Sequence, residues 1–116
     1  MKKKVKIVRA MPNTPALVGE GMTAACANDA VTEEEKEYAL KILRSFGKVE
    51  IVAENMIDAV VAVSGSAPAY VFMFIEAMAD AAVSEGMPRK QAYELPRRQF
   101  TEVQRWCSIR ENIREN

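Results

Sequence analysis

From Tyr70 to Val83 the chain reads YVFMFIEAMADAAV, apolar almost all the way round a helix, with Glu76 and Asp80 marking one narrow polar line. Such a helix has to be covered on most of its circumference. The surrounding segment, Asn55 to Leu95, is too short to wrap it. The sequence therefore demands a partner, either more of its own chain or another subunit. A bilayer is not expected to be that partner, because the apolar run Ala67–Val83 is short for a membrane span and holds two acids. Glu76 and Asp80 lie four apart on one face, and a solvated or interface stripe accounts for them better than catalysis does.

Composition removes other classes of function. The 116 residues carry 16 Lys+Arg against 16 Asp+Glu, so a formal net charge of zero gives no global attraction to nucleic acid or to an anionic membrane. There is no His, which excludes a His-based triad and a His-ligated metal. The two cysteines, Cys26 and Cys107, form neither a disulfide framework nor a zinc pattern, and no metal site is expected. The opening MKKKVKIVRA is basic, but charges interrupt its apolar residues, unlike a signal peptide. Together these features predict a reduced, cytoplasmic protein.

Val5–Met11 (VKIVRAM) is β-branched and stops at Pro12, which predicts a strand and then a turn. MPNTPALVGEG places two Pro and two Gly around Asn13 and Thr14, the chemistry of a loop. Met22–Asn28 (MTAACAN) is a candidate second strand, although Ala is a poor strand former. In TEEEKEYALKILRSFGK, Thr32 and Glu35 form a capping box. Ala39, Leu40, Ile42, Leu43 and Phe46 share a helical face, and Gly47 suits the left-handed position after the helix. Val49–Ala53 (VEIVA) alternates as a strand. The order β-β-α-β, over residues 1–54, is that of the closing part of an α/β domain.

At Asn55 the character changes. NMIDAVVAVSGSAPAYVFMFIEAMADAAVSEG reads as two helical pieces hinged at Ser64-Gly65-Ser66, with Asn55 capping the first and Pro68 in the first turn of the second. Gly86 ends that piece and Pro88 starts a third, PRKQAYEL. Residues 55–95 are thus an all-α segment.

Two constellations have residue types suited to a ligand. RAMPNTPA leaves the end of a strand, where α/β sheets bind ligands. Asn13 and Thr14, braced between Pro12 and Pro15, would present donors and acceptors at low entropic cost. The same residues also suit a rigid turn with no ligand. In VSGSAPAY, the Ser64 and Ser66 hydroxyls and a helix N-terminus could face an anion. Small residues there also suit close helix packing.

These stretches carry a resemblance. VRAMPNTPALVGEGMTA, SFGKVEIVAE and IDAVVAVSGSAPAYVFMFIEAMADAAVSEGMPRKQA resemble pyrroline-5-carboxylate reductase nearly unbroken from Val5 to Leu95. The resemblance implies the C-terminal part of a Rossmann-type NAD(P)-binding domain, followed by the start of an all-α dimerisation domain that makes a homo-oligomer. It implies hydride transfer from NADPH or NADH to the C=N bond of 1-pyrroline-5-carboxylate, giving L-proline. Met11, Pro12, Asn13 and Thr14 would lie beside the nicotinamide, and Ser64, Gly65 and Ser66 in the substrate cleft. The sequence contains no G-x-G-x-x-G and no Ser-Pro-Gly-Gly-Thr-Thr substrate loop. No catalytic residue is assigned, and the chain alone is expected to be an inactive fragment. The alternative is a non-catalytic association fragment that pairs through its helices.

Pro96–Asn116 has a different vocabulary. It lacks Ala, Gly and Lys, yet holds five of the eight Arg and the single Trp. Phe100, Val103, Cys107 and Ile113 could share an amphipathic face, while three Glu among the Arg argue against a phosphate-binding tail. A third reading uses the genetic code. With suitable synonymous codons, the tail read in the neighbouring frame from Leu95 becomes AAAAVYGSAKMVLDTGKHPGE, similar to the family's continuation of this helix. The Trp106 codon has no synonym and helps make the KMV of that string. Residues 96–116 are accordingly expected to be an out-of-frame tail, outside the fold.

Overall fold

The computed structural model describes residues 4–114, with side chains described to residue 110. Its elements are β1 (Val8–Met11), β2 (Gly21–Ala27), α1 (Glu33–Leu43), β3 (Gly47–Ile51), α2 (Ile57–Val60), α3 (Ala67–Ser84) and α4 (Arg89–Arg114). They group into two compact units, Met1–Ala69 and Tyr70–Asn116, divided within α3 rather than at the composition change at Asn55.

In the first unit β2 is the central strand, antiparallel to β1 (Met11 opposite Ala24) and parallel to β3 (Gly21 opposite Gly47). Four consecutive residues, Thr23 to Cys26, are buried. Successive side chains point to opposite faces, so both faces of this strand are covered. Ala24 and Cys26 pack with Ile57 of α2 and with Met11, Val52 and Val60. Ala25 shares a small gap with Leu40 of α1. Small side chains suit a strand enclosed on two sides, which overrides the weak strand propensity of Ala. The Thr23 hydroxyl is buried there with no hydrogen-bond partner among the described residues.

The expected strand from Val5 begins only at Val8. Ahead of it one main-chain bond remains, from the Asn28 N–H to the Ile7 carbonyl (3.0 Å), and the Asn28 side chain adds two more, accepting from the Ile7 N–H (3.2 Å) and donating to the Val5 carbonyl (2.8 Å). The loop after β1 contains a 3-10 turn, Thr14–Val18, closed by Gly19 at φ 77°.

The capping box at α1 forms as expected. Thr32 Oγ1 accepts from the Glu35 N–H (3.3 Å) and the Glu35 carboxylate accepts from the Thr32 N–H (3.0 Å). Lys6 also bonds Glu35 at 2.5 Å. That bond first, and the Thr32 N–H second, lower the Glu35 pKa from 4.5 to about 2. Leu40 is buried as expected, whereas Ile42 is 53% exposed, so the apolar stripe covers less of the helix than its spacing suggested. Gly47 is not the left-handed cap after α1. A 3-10 turn (Arg44–Phe46) extends the helix, and Gly47 opens β3 at φ 151°, ψ −161°, a region open essentially to glycine alone. A Cβ at Gly47 would lie 2.0 Å from the Gly21 carbonyl oxygen. β3 consequently starts two residues before the expected Val49.

Asn55 does not cap the following helix. It lies inside a 3-10 turn, Glu54–Met56, whose preceding residue Ala53 makes no side-chain cap. Nor is Ser64-Gly65-Ser66 a break. Val61–Gly65 form a π-helical turn, and Ser66 keeps near-helical dihedrals (φ −96°, ψ −16°) into α3. There is no open helix N-terminus at this point to receive an anion. The run Glu54–Ser84 spans 31 residues, long and apolar enough by length and composition to cross a bilayer. This is longer than the Ala67–Val83 stretch judged too short from sequence.

In the second unit α3 and α4 form an antiparallel hairpin. Gly86 at φ 93° ends α3, with the Gly86 N–H bonded to the Val83 carbonyl and the Met87 N–H to the Ala82 carbonyl, a Schellman closure. Asp80 meets Arg89 at 3.0 Å, and Phe74 meets Phe100 edge to face with centroids 5.9 Å apart. Ala79 and Ala92 are fully buried. Yet Tyr70, Phe72, Met73 and Phe74 each expose 61–67% of their surface. The helix expected to end at Leu95 continues through Pro96 to Arg114. Pro96 has no N–H to offer the Ala92 carbonyl, a substitution that costs about 3 kcal/mol within a helix. Phe100 is half-buried, but every residue from Thr101 to Arg110 is exposed, Val103 and Cys107 included. The Ile113 side chain, Glu115 and Asn116 lie outside the described part of the structure.

Two outcomes follow for this fold. Gly47→Ala will lower stability by about 1–3 kcal/mol in urea unfolding, from backbone strain alone, with the close approach to Gly21 adding to it. The depressed Glu35 pKa means that the native carboxylate resists protonation while the unfolded one accepts a proton. Its stabilisation is therefore full above about pH 4.5 and is lost as pH falls toward about 2. Glu35→Gln will flatten this acid limb in low salt, and added salt will shrink the difference, because the pair is exposed.

Candidate functional site

The two ligand-suited stretches come from sequence positions about fifty residues apart, and the fold of the first unit brings them together. β1 delivers Met11 to the end of the sheet, and Asn13 follows in extended conformation (φ −125°, ψ 169°) ahead of the 3-10 turn. Asn13 does not cap that turn with its side chain. Its Oδ1 instead accepts from the Met22 N–H at 2.9 Å, and its Nδ2 donates to the Ser64 carbonyl at a long 3.5 Å. Beside this contact the Met11 methyl group packs over Gly65, 3.2 Å from where a Cβ would sit. A side chain at Gly65 would push Met11 away.

Met11, Asn13, Ser64 and Gly65 are half-buried, whereas Pro12, Thr14 and Ser66 are exposed. The hydroxyls of Thr14, Ser64 and Ser66 form no hydrogen bond among the described residues. Sequence reasoning missed the Met22 N–H, a main-chain group that no side-chain motif marks, and the π-helical turn that carries Ser64. No cluster of three His, Cys, Asp or Glu suited to a metal occurs among the described residues.

Residues 54–105 match the family model described as pyrroline-5-carboxylate reductase dimerisation. Pyrroline-5-carboxylate reductase of Escherichia coli is 65% identical over 89 residues, which cover 77% of this chain and 33% of that protein. The chain belongs to the pyrroline-5-carboxylate reductase family. The reductase of Synechocystis is 53% identical over the same shares of each chain. Among solved structures, a Plasmodium falciparum pyrroline carboxylate reductase with NADP bound superposes with a TM-score of 0.80 at 40% identity, covering 84% of this chain and 39% of that one.

The chain spans about a third of the length of the curated relatives it matches. Within that third, the β-β-α-β portion is a partial Rossmann-type fold, and the helical portion corresponds to the reductase dimerisation domain. The apolar helix α3 lies wholly within the residues that match the dimerisation model. The match also runs past Pro96 to Arg105.

Proposed function

We propose that this chain supplies the nicotinamide-end and substrate-cleft segments of a pyrroline-5-carboxylate reductase. The reaction is reduction of the C=N bond of 1-pyrroline-5-carboxylate to L-proline, in the cytoplasm of the cell. The observation that carries this reading is the meeting of Met11–Thr14 with Ser64–Ser66 at the end of β1, where sheets of this class bind ligands. NADPH or NADH, when bound, supplies the hydride.

The residues present fit one end of that cofactor. Exposed Pro12 and Thr14 would border the nicotinamide, with Met11 and Asn13 behind them, and the Ser64 and Ser66 hydroxyls would face the substrate across Gly65. Their task is orientation: two bound reactants held in near-attack geometry react as one unit. Nothing in the sequence fits the pyrophosphate, since no G-x-G-x-x-G is present. We therefore infer that these 116 residues alone reduce no substrate.

A second reading has its own observation. The exposed aromatic stripe on α3 and the dimerisation-domain match favour a stretch that associates through its helices, as a homo-oligomer, whether or not it is catalytic.

We further propose that the C-terminal tail is out of frame. Residues 96–116 are an out-of-frame translation, supported by Pro96 inside a helix and by the exposure of every side chain from Thr101 to Arg110.

The purified chain is expected to form no proline from pyrroline-5-carboxylate and NADPH. The E. coli reductase with its 89 matched residues replaced by those of this chain should be active. Proline formation by the chain alone would overturn the inference that it is inactive by itself, and a folded but inactive chimera would count against the reductase assignment. Separately, nucleotide sequencing should find the Ala-rich string in the neighbouring frame after Leu95. A frame there that soon reaches a stop would remove the tail proposal.

A further inference from the structure

The Asn13 amide reaches Ser64, and the reason lies in Pro68. Ser64 is in a helical stretch where its carbonyl would accept from the N–H four residues on. That residue is Pro68, which has no N–H. In the π-helical alternative the donor would be five residues on, at Ala69, but the Ala69 N–H bonds the Ser66 carbonyl at 3.1 Å instead. The Ser64 carbonyl is thus left without its main-chain donor. Asn13 Nδ2 stands in for it, while Asn13 Oδ1 holds the Met22 N–H at the start of β2.

We propose that Asn13 is a positioning residue, a strut between β2 and the π-helical turn, and that Pro68 creates the acceptor it grips. The strut holds the Met11–Thr14 segment against Ser64–Ser66, and the Met11 methyl on Gly65 is its second point of contact. In catalytic terms this rests on the reductase reading. As a statement about the fold it does not. With one N–H and one lone pair of the amide engaged within the fold, Pro12 and the Thr14 hydroxyl are the exposed groups of this segment.

The experiment separates donor from acceptor. Asn13→Asp keeps an oxygen for the Met22 N–H but removes the donor to Ser64 and sets a carboxylate against its carbonyl. Asn13→Ala removes both. Pro68→Ala restores a main-chain donor four residues after Ser64. In the full 116-residue chain, the carbonyl carbon resonance of Ser64 is expected to move in Asn13→Asp and Asn13→Ala alike. It should barely respond to the same changes in the Pro68→Ala background. Amide exchange at Met22 should speed up in Asn13→Ala and stay slow in Asn13→Asp.

A Ser64 resonance indifferent to Asn13, or one that moves equally with and without Pro68, would overturn the strut. If Asn13→Ala fails to fold, Asn13→Asp and Pro68→Ala still decide the question. In the active chimera, Asn13→Asp should lower kcat by about tenfold or more with both KM values nearly unchanged. A rise in KM with kcat intact would instead mean direct ligand contact. An inactive chimera with the resonance pattern intact would sink the reductase reading and leave the strut standing.

Discussion

At the first rung of the β2–β3 pairing there is no room for a side chain. Gly21 faces Gly47, and a Cβ on Gly47 would fall inside the Gly21 carbonyl. Gly21 is crowded as well, with Ala16 and the Phe46 carbonyl each within 3 Å of where its Cβ would be. This contact lets β3 fall in parallel to β2 directly after α1 and its 3-10 extension. It also sets where β2 begins. The Met22 N–H is the next group along, so the point at which Asn13 can anchor depends on the same two glycines.

The two units solve burial differently. In the first, a strand of small residues lies between helices, and modest side chains such as Ala24, Cys26 and Ile57 make the core. In the second, a two-helix hairpin carries more apolar surface than it can cover. Full burial of a large apolar side chain is worth about 1.5–3 kcal/mol, so the exposed Tyr70, Phe72, Met73 and Phe74 of α3 leave stabilisation of that size unrealised within the unit. These residues lie within the stretch that matches the reductase dimerisation model.

Much of this was legible in the residues, and the failures have physical causes. The capping box at Thr32, the Gly86 stop and the β-β-α-β order were read correctly because each depends on neighbours within a turn or two. Gly47 was misread because a glycine after a helix suits a left-handed cap, and only Gly21, from another strand, makes the extended conformation necessary. Asn55 was misread as a cap because Asn is a good one in general. The MPNTP and SGSAPAY stretches could each be singled out as suited to a ligand, but not that they touch.

The sequence by itself determined the kinds of element, their order, and the need of the α3 helix for a covering surface, since periodicity and local hydrogen bonding act over a few residues. It also determined, through Pro68, that the Ser64 carbonyl would lack its usual donor. Which group answers that carbonyl was decided only by the tertiary structure. Asn13 precedes Ser64 by 51 residues, and its amide arrives there because β1, β2 and the π-helical turn are packed around one core. A hydrogen bond between groups so far apart in the chain has no local signature.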